Sequence, residues 1–322
     1  MFGLRGNPDH DACVRIIHRA LDAGINFIDT ADVYSAGESE TIVGAALSQV
    51  PRDQVVLATK VHGQMGEDPN AGGNSRRWIL AGCDNSLRRL GVDYIDLYQV
   101  HRPDPLVDIE ETLGALTDLQ RAGKIRAFGS STFPPHQVVE AQWVAERRGL
   151  SRFRTEQPPY SILARGIEAA LLPVAQQYGL GVLPWSPLAG GWLSGRYGKD
   201  KENVSHRASG QFAYRYDVSR PENQRKLEIV TALSALADQA GVTLVELSLA
   251  FVLEHPAVSS AIIGPRTMEQ LETQLDAPGI ALSGEILDAI DALVPPGTDV
   301  VQREFGYDPP SLTDAALRRR PG

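Results

Sequence analysis

Four residues early in the chain have types that could share one piece of chemistry: Asp29, Tyr34, Lys60 and His101. A tyrosine phenol has an ordinary pKa of about 10, too high for a ready proton donor and acceptor at neutral pH. A lysine ammonium beside it favours the phenolate, and a carboxylate such as Asp29 would hold that ammonium charged and in place. A histidine can hydrogen-bond a substrate oxygen and orient it toward the phenol. Together they suit protonation of a carbonyl oxygen while hydride arrives at carbon. No side chain delivers hydride, so a nicotinamide cofactor is implied. The same lysine could instead be a Schiff-base nucleophile in a barrel lyase or isomerase. Singly, each residue has a plainer reading: a polar strand end, a surface lysine, a satisfied loop histidine.

Position is what joins them. The stretch Gly24 to Tyr34 opens with an apolar, β-branched run of strand length and then breaks into Asp29. A carboxylate ending an apolar strand is costly unless paired. Lys60 ends the next such run, 55–61, and Gln99 and His101 the one after, 94–101. Further runs at 125–131, 153–157, 181–186 and 258–263 end in Ser130 and Ser131, in Gln157, in Trp185 and Ser186, and before Gly264 and Arg266. Helical spacing predicts helices over 9–23, 38–47, 77–90, 109–122, 135–148, 167–178, 224–240, 244–254, 268–275 and 284–294. Alternating strands and helices with short connections make a parallel α/β protein. Seven strands are read where a closed (β/α)8 barrel needs eight. A doubly wound open sheet gives the same alternation but carries a glycine-rich phosphate loop after its first strand, and none stands there. In a barrel all the strand ends lie on one face, so the four residues would converge.

The chain has 322 residues, 43% of them hydrophobic and 22% charged, enough for a large core in an ordinary globular protein. No break in composition divides it, so 1–322 is expected to be a single domain. A net charge of −9 argues against a nucleic-acid surface. No apolar run reaches the length of a membrane span. Cys13 and Cys83 are the two cysteines, which imply no disulfide framework and fit a cytoplasmic setting. His10, Cys13 and His18 lie around one helix without a fourth ligand, so no metal site is read there. The segment 190–223 is long and irregular, the kind that is usually functional. Phe133, Trp185, Phe212 and Tyr214 suggest an aromatic-walled pocket. Oligomeric state is not legible.

Order and spacing bring a family into view. The chain resembles an aldo-keto reductase in Gly24 to Tyr34, Gly37-Glu-Ser-Glu40, Ala58-Thr-Lys60, Ser86-Leu-Arg-Arg-Leu90 and Asp93 to His101. The likeness continues in Gly123-Lys-Ile-Arg126, Gly129-Ser-Ser-Thr-Phe133, Trp185 to Gly191, and Ile262-Ile-Gly-Pro-Arg266 with Gln270-Leu271. It implies a (β/α)8 TIM-type barrel and NADPH-dependent reduction of aldehydes or ketones to alcohols, with a small carbonyl compound as substrate. It also implies that Asp29, Tyr34, Lys60 and His101 form a catalytic tetrad with Tyr34 the proton donor. Ser131 and Gln157 match positions that hold the nicotinamide carboxamide, and Trp185 the residue stacked on its ring. Ser186, Leu188, Gly190 and Gly191 match the loop clasping the pyrophosphate. Gly264, Arg266 and Gln270 match the 2′-phosphate site, where an arginine favours NADP(H). Some relatives bind NADPH as regulatory or redox-sensing subunits without fast turnover, which is the alternative reading.

The sequence departs from the family pattern in three places. Thr132 stands where asparagine is common. Thr273 and Gln274 replace a Glu-Asn pair that grips the adenine. Phe2-Gly3 looks like the last residues of the first barrel strand, so the expected barrel lacks its N-terminal hairpin and that strand. Either the start lies too late or the chain is truncated; a native mass above 34.9 kDa would favour the late start.

Overall fold

The computed structural model describes residues 2–197, 213–301 and 307–320. Six strands form one parallel sheet in chain order: β1 (Phe27–Asp29), β2 (Val56–Val61), β3 (Ile95–Val100), β4 (Ile125–Ser131), β5 (Thr155–Gln157) and β6 (Gly181–Val182). Helices fill the connections, as parallel neighbours require: α1 (His10–Asp22) precedes β1, and α2 (Glu38–Leu47), α3 (Arg76–Leu90), α4 (Ile109–Arg121), α5 (Pro135–Arg148) and α6 (Leu171–Tyr178) follow in turn. After β6 come α7 (Pro221–Ala240), α8 (Leu244–Glu254), α9 (Met268–Leu275), α10 (Gly284–Leu293) and the short α11 (Pro310–Thr313). The helix starts are written in the local sequence. Asp9, Ser75, Asp108, Thr267 and Ser283 each accept a first-turn N–H, and Thr243 with Glu246 makes a reciprocal capping box.

Alternation along the strands sorts the side chains into two environments. One face packs under the helices, with Leu57, Val61, Tyr98, Val100 and Phe128 meeting Ile79, Cys83 and Leu116 in the main core. The other face carries Phe27, Ala58, Leu97 and Ala127, which form a small second cluster with Leu183 and Ile262. One pleat further along that second face stand Asp29, Lys60, Gln99 and Gly129, and one more pleat brings Ser131 with Gln157 beside it. Parallel register sets them side by side: Lys60 is level with Gln99, Gln99 with Gly129, and Ser131 with Gln157. An apolar layer therefore lies directly beneath a polar one.

Two expectations are corrected. The run 258–263 is not a ladder strand; it is tied to the sheet by isolated bridges from Val258 to Val182 and from Ile262 to Trp185. Pro184 has no N–H to donate, which interrupts the ladder, though its carbonyl accepts from Ile262 N at 2.8 Å. Phe2-Gly3 does not continue as a strand. Phe2 bridges Asn7, and Gly3 turns at φ +83° with Gly6 N donating back to its carbonyl. This turn rests on the segment after Tyr34, where Ser35 Oγ donates to Phe2 O at 3.1 Å and Leu4 N to Glu38 Oε2 at 2.8 Å. Among the described residues, no single helix is long and apolar enough to cross a membrane.

Candidate active site

Lys60 is the centre of the polar layer, fully buried near the C-terminal end of β2. A buried ammonium needs compensation, and three oxygens provide it. Nζ donates to Asp29 Oδ2 at 2.5 Å, to Thr30 O at 2.7 Å and to Tyr34 Oη at 3.4 Å. Burial pulls the Lys60 pKa down, but the charge of Asp29, aided by Tyr34, more than offsets it and leaves the value raised. Lys60 is therefore charged wherever the fold persists near neutrality. Asp29 is steadied on its other oxygen, where Gln157 Nε2 donates to Oδ1 at 2.9 Å and Gln99 Nε2 at 3.1 Å.

Tyr34 stands where the chain turns from β1 into α2. Ser35 and Ala36 adopt left-handed conformations just after it, at φ +49° and +55°, which fold the backbone back toward α2. That conformation is uncommon outside glycine and marks a site where geometry outranks local ease. The Lys60 ammonium lies 4.9 Å from the Tyr34 ring centre, and the His101 ring meets the Tyr34 ring edge-on at 5.7 Å and 77°. His101 N donates to Val61 O at 2.9 Å, extending the β2–β3 pairing by one step. Burial, then the Lys60 and Arg102 charges, push the His101 pKa well below its ordinary value. It is a neutral imidazole at pH 7.

Around this centre the expected cofactor residues fall into three groups. Ser131 Oγ donates to Gln157 O at 2.9 Å, so these two form one patch across β4 and β5. The amide nitrogen of Gln157 is spent on Asp29 and, at 3.3 Å, on Gln99; its carbonyl oxygen is the end left to meet a ligand donor. Trp185 follows β6, with the Arg102 guanidinium 5.9 Å from its ring. Ser186, Leu188, Gly190 and Gly191 make a tight turn after it, in which Gly190 N donates to Ser186 Oγ at 2.8 Å and Gly191 N to Leu188 O at 2.8 Å. Ser186, Ala189, Gly190 and Gly191 all have positive φ there. The third group, Gly264, Arg266 and Gln270, opens α9, where Arg266 N donates to Gln270 Oε1 at 2.9 Å. The pairing of Trp185 with Ile262 sets the second and third groups side by side.

Some expectations fail and some residues were missed. Phe133 is not a pocket wall: it is buried in the core, edge-on to Phe153 at 5.7 Å. Tyr214 is half exposed against Arg215 and Arg220, and Phe212 lies outside the described residues. His10, Cys13 and His18 turn to different partners, Glu38, Asn7 and Ala46. The missed supports are Asn74 and Glu156. Asn74 Oδ1 meets His62 Nδ1 at 2.9 Å while Nδ2 donates to Arg102 O at 2.9 Å, tying the two loops that flank His101. Glu156 is fully buried behind Ser131. Both act across long sequence separations and sit in stretches with no motif of their own.

Asp29, Lys60, Tyr34 and His101 thus lie together at the strand ends, with the Ser131–Gln157 patch beside Asp29. A family model described as the aldo/keto reductase family matches residues 1–295. The chain belongs to the aldo/keto reductase family. An uncharacterized oxidoreductase, YrpG, of Bacillus subtilis is 39% identical over 305 residues, covering 91% of this chain and 90% of its own. Aldo-keto reductase YhdN of the same organism is 36% identical over 284 residues, covering 87% of this chain and 82% of its own. A putative voltage-gated potassium channel subunit beta of Schizosaccharomyces pombe is 36% identical over 297 residues, covering 90% and 86%. Similarity to both kinds of protein spans nearly the whole chain.

Proposed function

We propose that this aldo/keto reductase family member reduces an aldehyde or ketone to an alcohol with NADPH, on a (β/α)8-type barrel framework whose first strand is not formed by Phe2-Gly3. The observation that carries the reading is the Asp29–Lys60–Tyr34 chain, an ion pair at 2.5 Å that aims its ammonium at a phenol 3.4 Å away. A structural ion pair has no need of the phenol, or of a neutral imidazole beside it.

The residues fit a dinucleotide. Gln274 Oε1 on α9 is buried without a hydrogen-bond partner among the described residues, an acceptor for an adenine amine. The turn over Ser186 to Gly191 exposes backbone where a pyrophosphate can approach, and nothing stands within 4 Å of a Cβ added at Gly191. Arg266 would hold the 2′-phosphate, Ser131 and Gln157 the carboxamide, and Trp185 the ring. Bound there, the nicotinamide supplies hydride. Everything else is done by the chain. His101, uncharged, donates a hydrogen bond to the carbonyl oxygen and sets its approach to Tyr34. Tyr34 Oη gives its proton to that oxygen as negative charge builds on it. Lys60 stabilises the charge then left on the phenol, and Asp29, braced by Gln99 and Gln157, keeps the ammonium from following the proton.

A second reading, an NADPH-binding regulatory subunit with little turnover, is supported by the similarity to the channel-subunit relative. The intact tetrad geometry favours turnover. Aldehyde-dependent NADPH oxidation by the wild type and by Tyr34→Phe tests both. We expect a loss of at least a hundredfold in kcat with NADPH binding retained, in line with removal of a general acid. Equal rates in the two proteins would remove Tyr34 from the mechanism. NADPH binding without turnover in the wild type would favour the regulatory reading.

A further inference from the structure

We propose that Glu156 is a positioning residue for the nicotinamide cradle: from the far face of β5 its carboxylate folds the loop after β4 into the turn that presents Ser131, and its protonation slackens that turn. The inference rests on the cofactor reading above and adds a device to it.

Glu156 lies between Thr155 and Gln157, so its side chain leaves the sheet on the face opposite Gln157. It is completely buried, yet polar groups surround its carboxylate. Ser130 Oγ donates to Oε2, and Phe133 N donates to Oε1 at 3.1 Å. The Thr132 peptide N–H, which donates to Gln157 O at 3.2 Å, also faces the carboxylate. The charged group turned toward it is Arg102, from the loop after β3. Thr132, between the two anchored residues, sits at φ +60°. A threonine does not hold that conformation unaided. The anchors on either side of it are what hold it, and Ser131 is carried along with them.

Burial pushes the Glu156 carboxyl up to about 7, against the pull of Ser130, the two peptide N–H groups and Arg102. Ionised, it accepts from Ser130 and Phe133 together. Protonated, one of its oxygens becomes a donor, so the Ser130 hydroxyl must reverse and the attraction to Arg102 is lost. The cradle is thus firm above neutrality and looser below it.

The test is the NADPH dissociation constant, read by quenching of tryptophan fluorescence, from pH 6 to 8 in the wild type and in Glu156→Gln. The variant keeps the shape of a protonated carboxyl and cannot ionise. We expect wild-type affinity to fall up to tenfold more than the variant's as pH drops from 8 to 6; titration of the 2′-phosphate is common to both and cancels. The variant should match the wild type at pH 6 and be weaker at pH 8. Curves that superimpose over the whole range would overturn the proposal. Should Glu156→Gln fail to fold, Ser130→Ala replaces it: loss of that donor should move the wild-type midpoint to higher pH, and an unmoved midpoint counts against the idea equally. A wild type that binds no NADPH at any pH would instead sink the cofactor reading, and this inference with it.

Discussion

Replacing Asp29 by asparagine isolates the ion pair on which the site is built. The variant keeps the shape but leaves the Lys60 ammonium fully buried without its counter-charge. Breaking a buried pair from one side costs about 3–5 kcal/mol. The alternative is for Lys60 to give up its proton. From an ordinary value near 10.4, that costs about 4–5 kcal/mol at pH 7, at roughly 1.4 kcal/mol per unit. The two routes agree, so we expect a loss of about 4 kcal/mol at pH 7, read from urea denaturation with the slope unchanged. The sign of the pH dependence follows. In the wild type the Lys60 pKa is raised, so its contribution is complete below the unfolded value and constant from pH 7 to 9. In Asp29→Asn, burial is no longer offset and the folded pKa falls below the unfolded one. The folded state then binds fewer protons, and stability returns as pH rises, by up to about 2.7 kcal/mol between pH 7 and 9. Adding Lys60→Met should recover most of the loss at pH 7 and abolish its pH dependence. A single-variant loss below about 1 kcal/mol, or one that ignores pH, would refute the account of Lys60 as a charged, pair-dependent group.

Two further outcomes follow from buried groups away from the reacting atoms. Asp32 is buried with Val33 N on one oxygen and no partner for the other among the described residues; burial, then Glu40, raises its carboxyl to about 7. Its stabilising contribution is therefore present below the unfolded value and lost as pH rises through 7. Asp32→Asn should stabilise the protein at pH 8 by roughly 2–4 kcal/mol and converge on the wild type only below about pH 4. A melting temperature lower than wild type at pH 8 would speak against it. Gly44 on α2 lies so close to α3 that a Cβ there would stand 2.5 Å from Leu90 O. Gly44→Ala should cost about 1–3 kcal/mol through overpacking, seen as a lower urea midpoint, with kcat unchanged in the folded fraction.

Much of this architecture could be read from the chain because its signals are local. The run before Asp29 and the caps at Asp9, Ser75 and Asp108 depend on residues within a turn or two of each other. The tetrad was legible for a related reason: in a parallel sheet each strand end lands on the same face, so position along a strand already says which residues meet. What escaped notice acts between loops. Asn74 joins partners 12 and 28 residues away, and Glu156 takes up Ser130 from 26 residues before it. Neither distance has a period. Phe133 misled for a similar reason, since an aromatic residue after a strand end can turn into the helix layer or into the cleft. Its contact with Phe153 decides that.

The same burial acts in opposite senses on the acids and bases in and behind the site. It pushes the Glu156 and Asp32 carboxyls up to about 7 and holds the His101 imidazole well below its ordinary value. Near neutrality both acids are partly protonated and the histidine is uncharged. Lys60 stays ionised through Asp29, and Arg102 remains a cation although burial lowers its pKa. Lys60 is paired with Asp29, and Arg102 faces Glu156. A buried ammonium beside a phenol and a neutral imidazole is what developing negative charge on a carbonyl oxygen calls for. It would be a poor setting for a Schiff-base lysine, which must be a neutral amine to attack. The Asp29 contact that makes Lys60 a good electrostatic support therefore disqualifies it as a nucleophile.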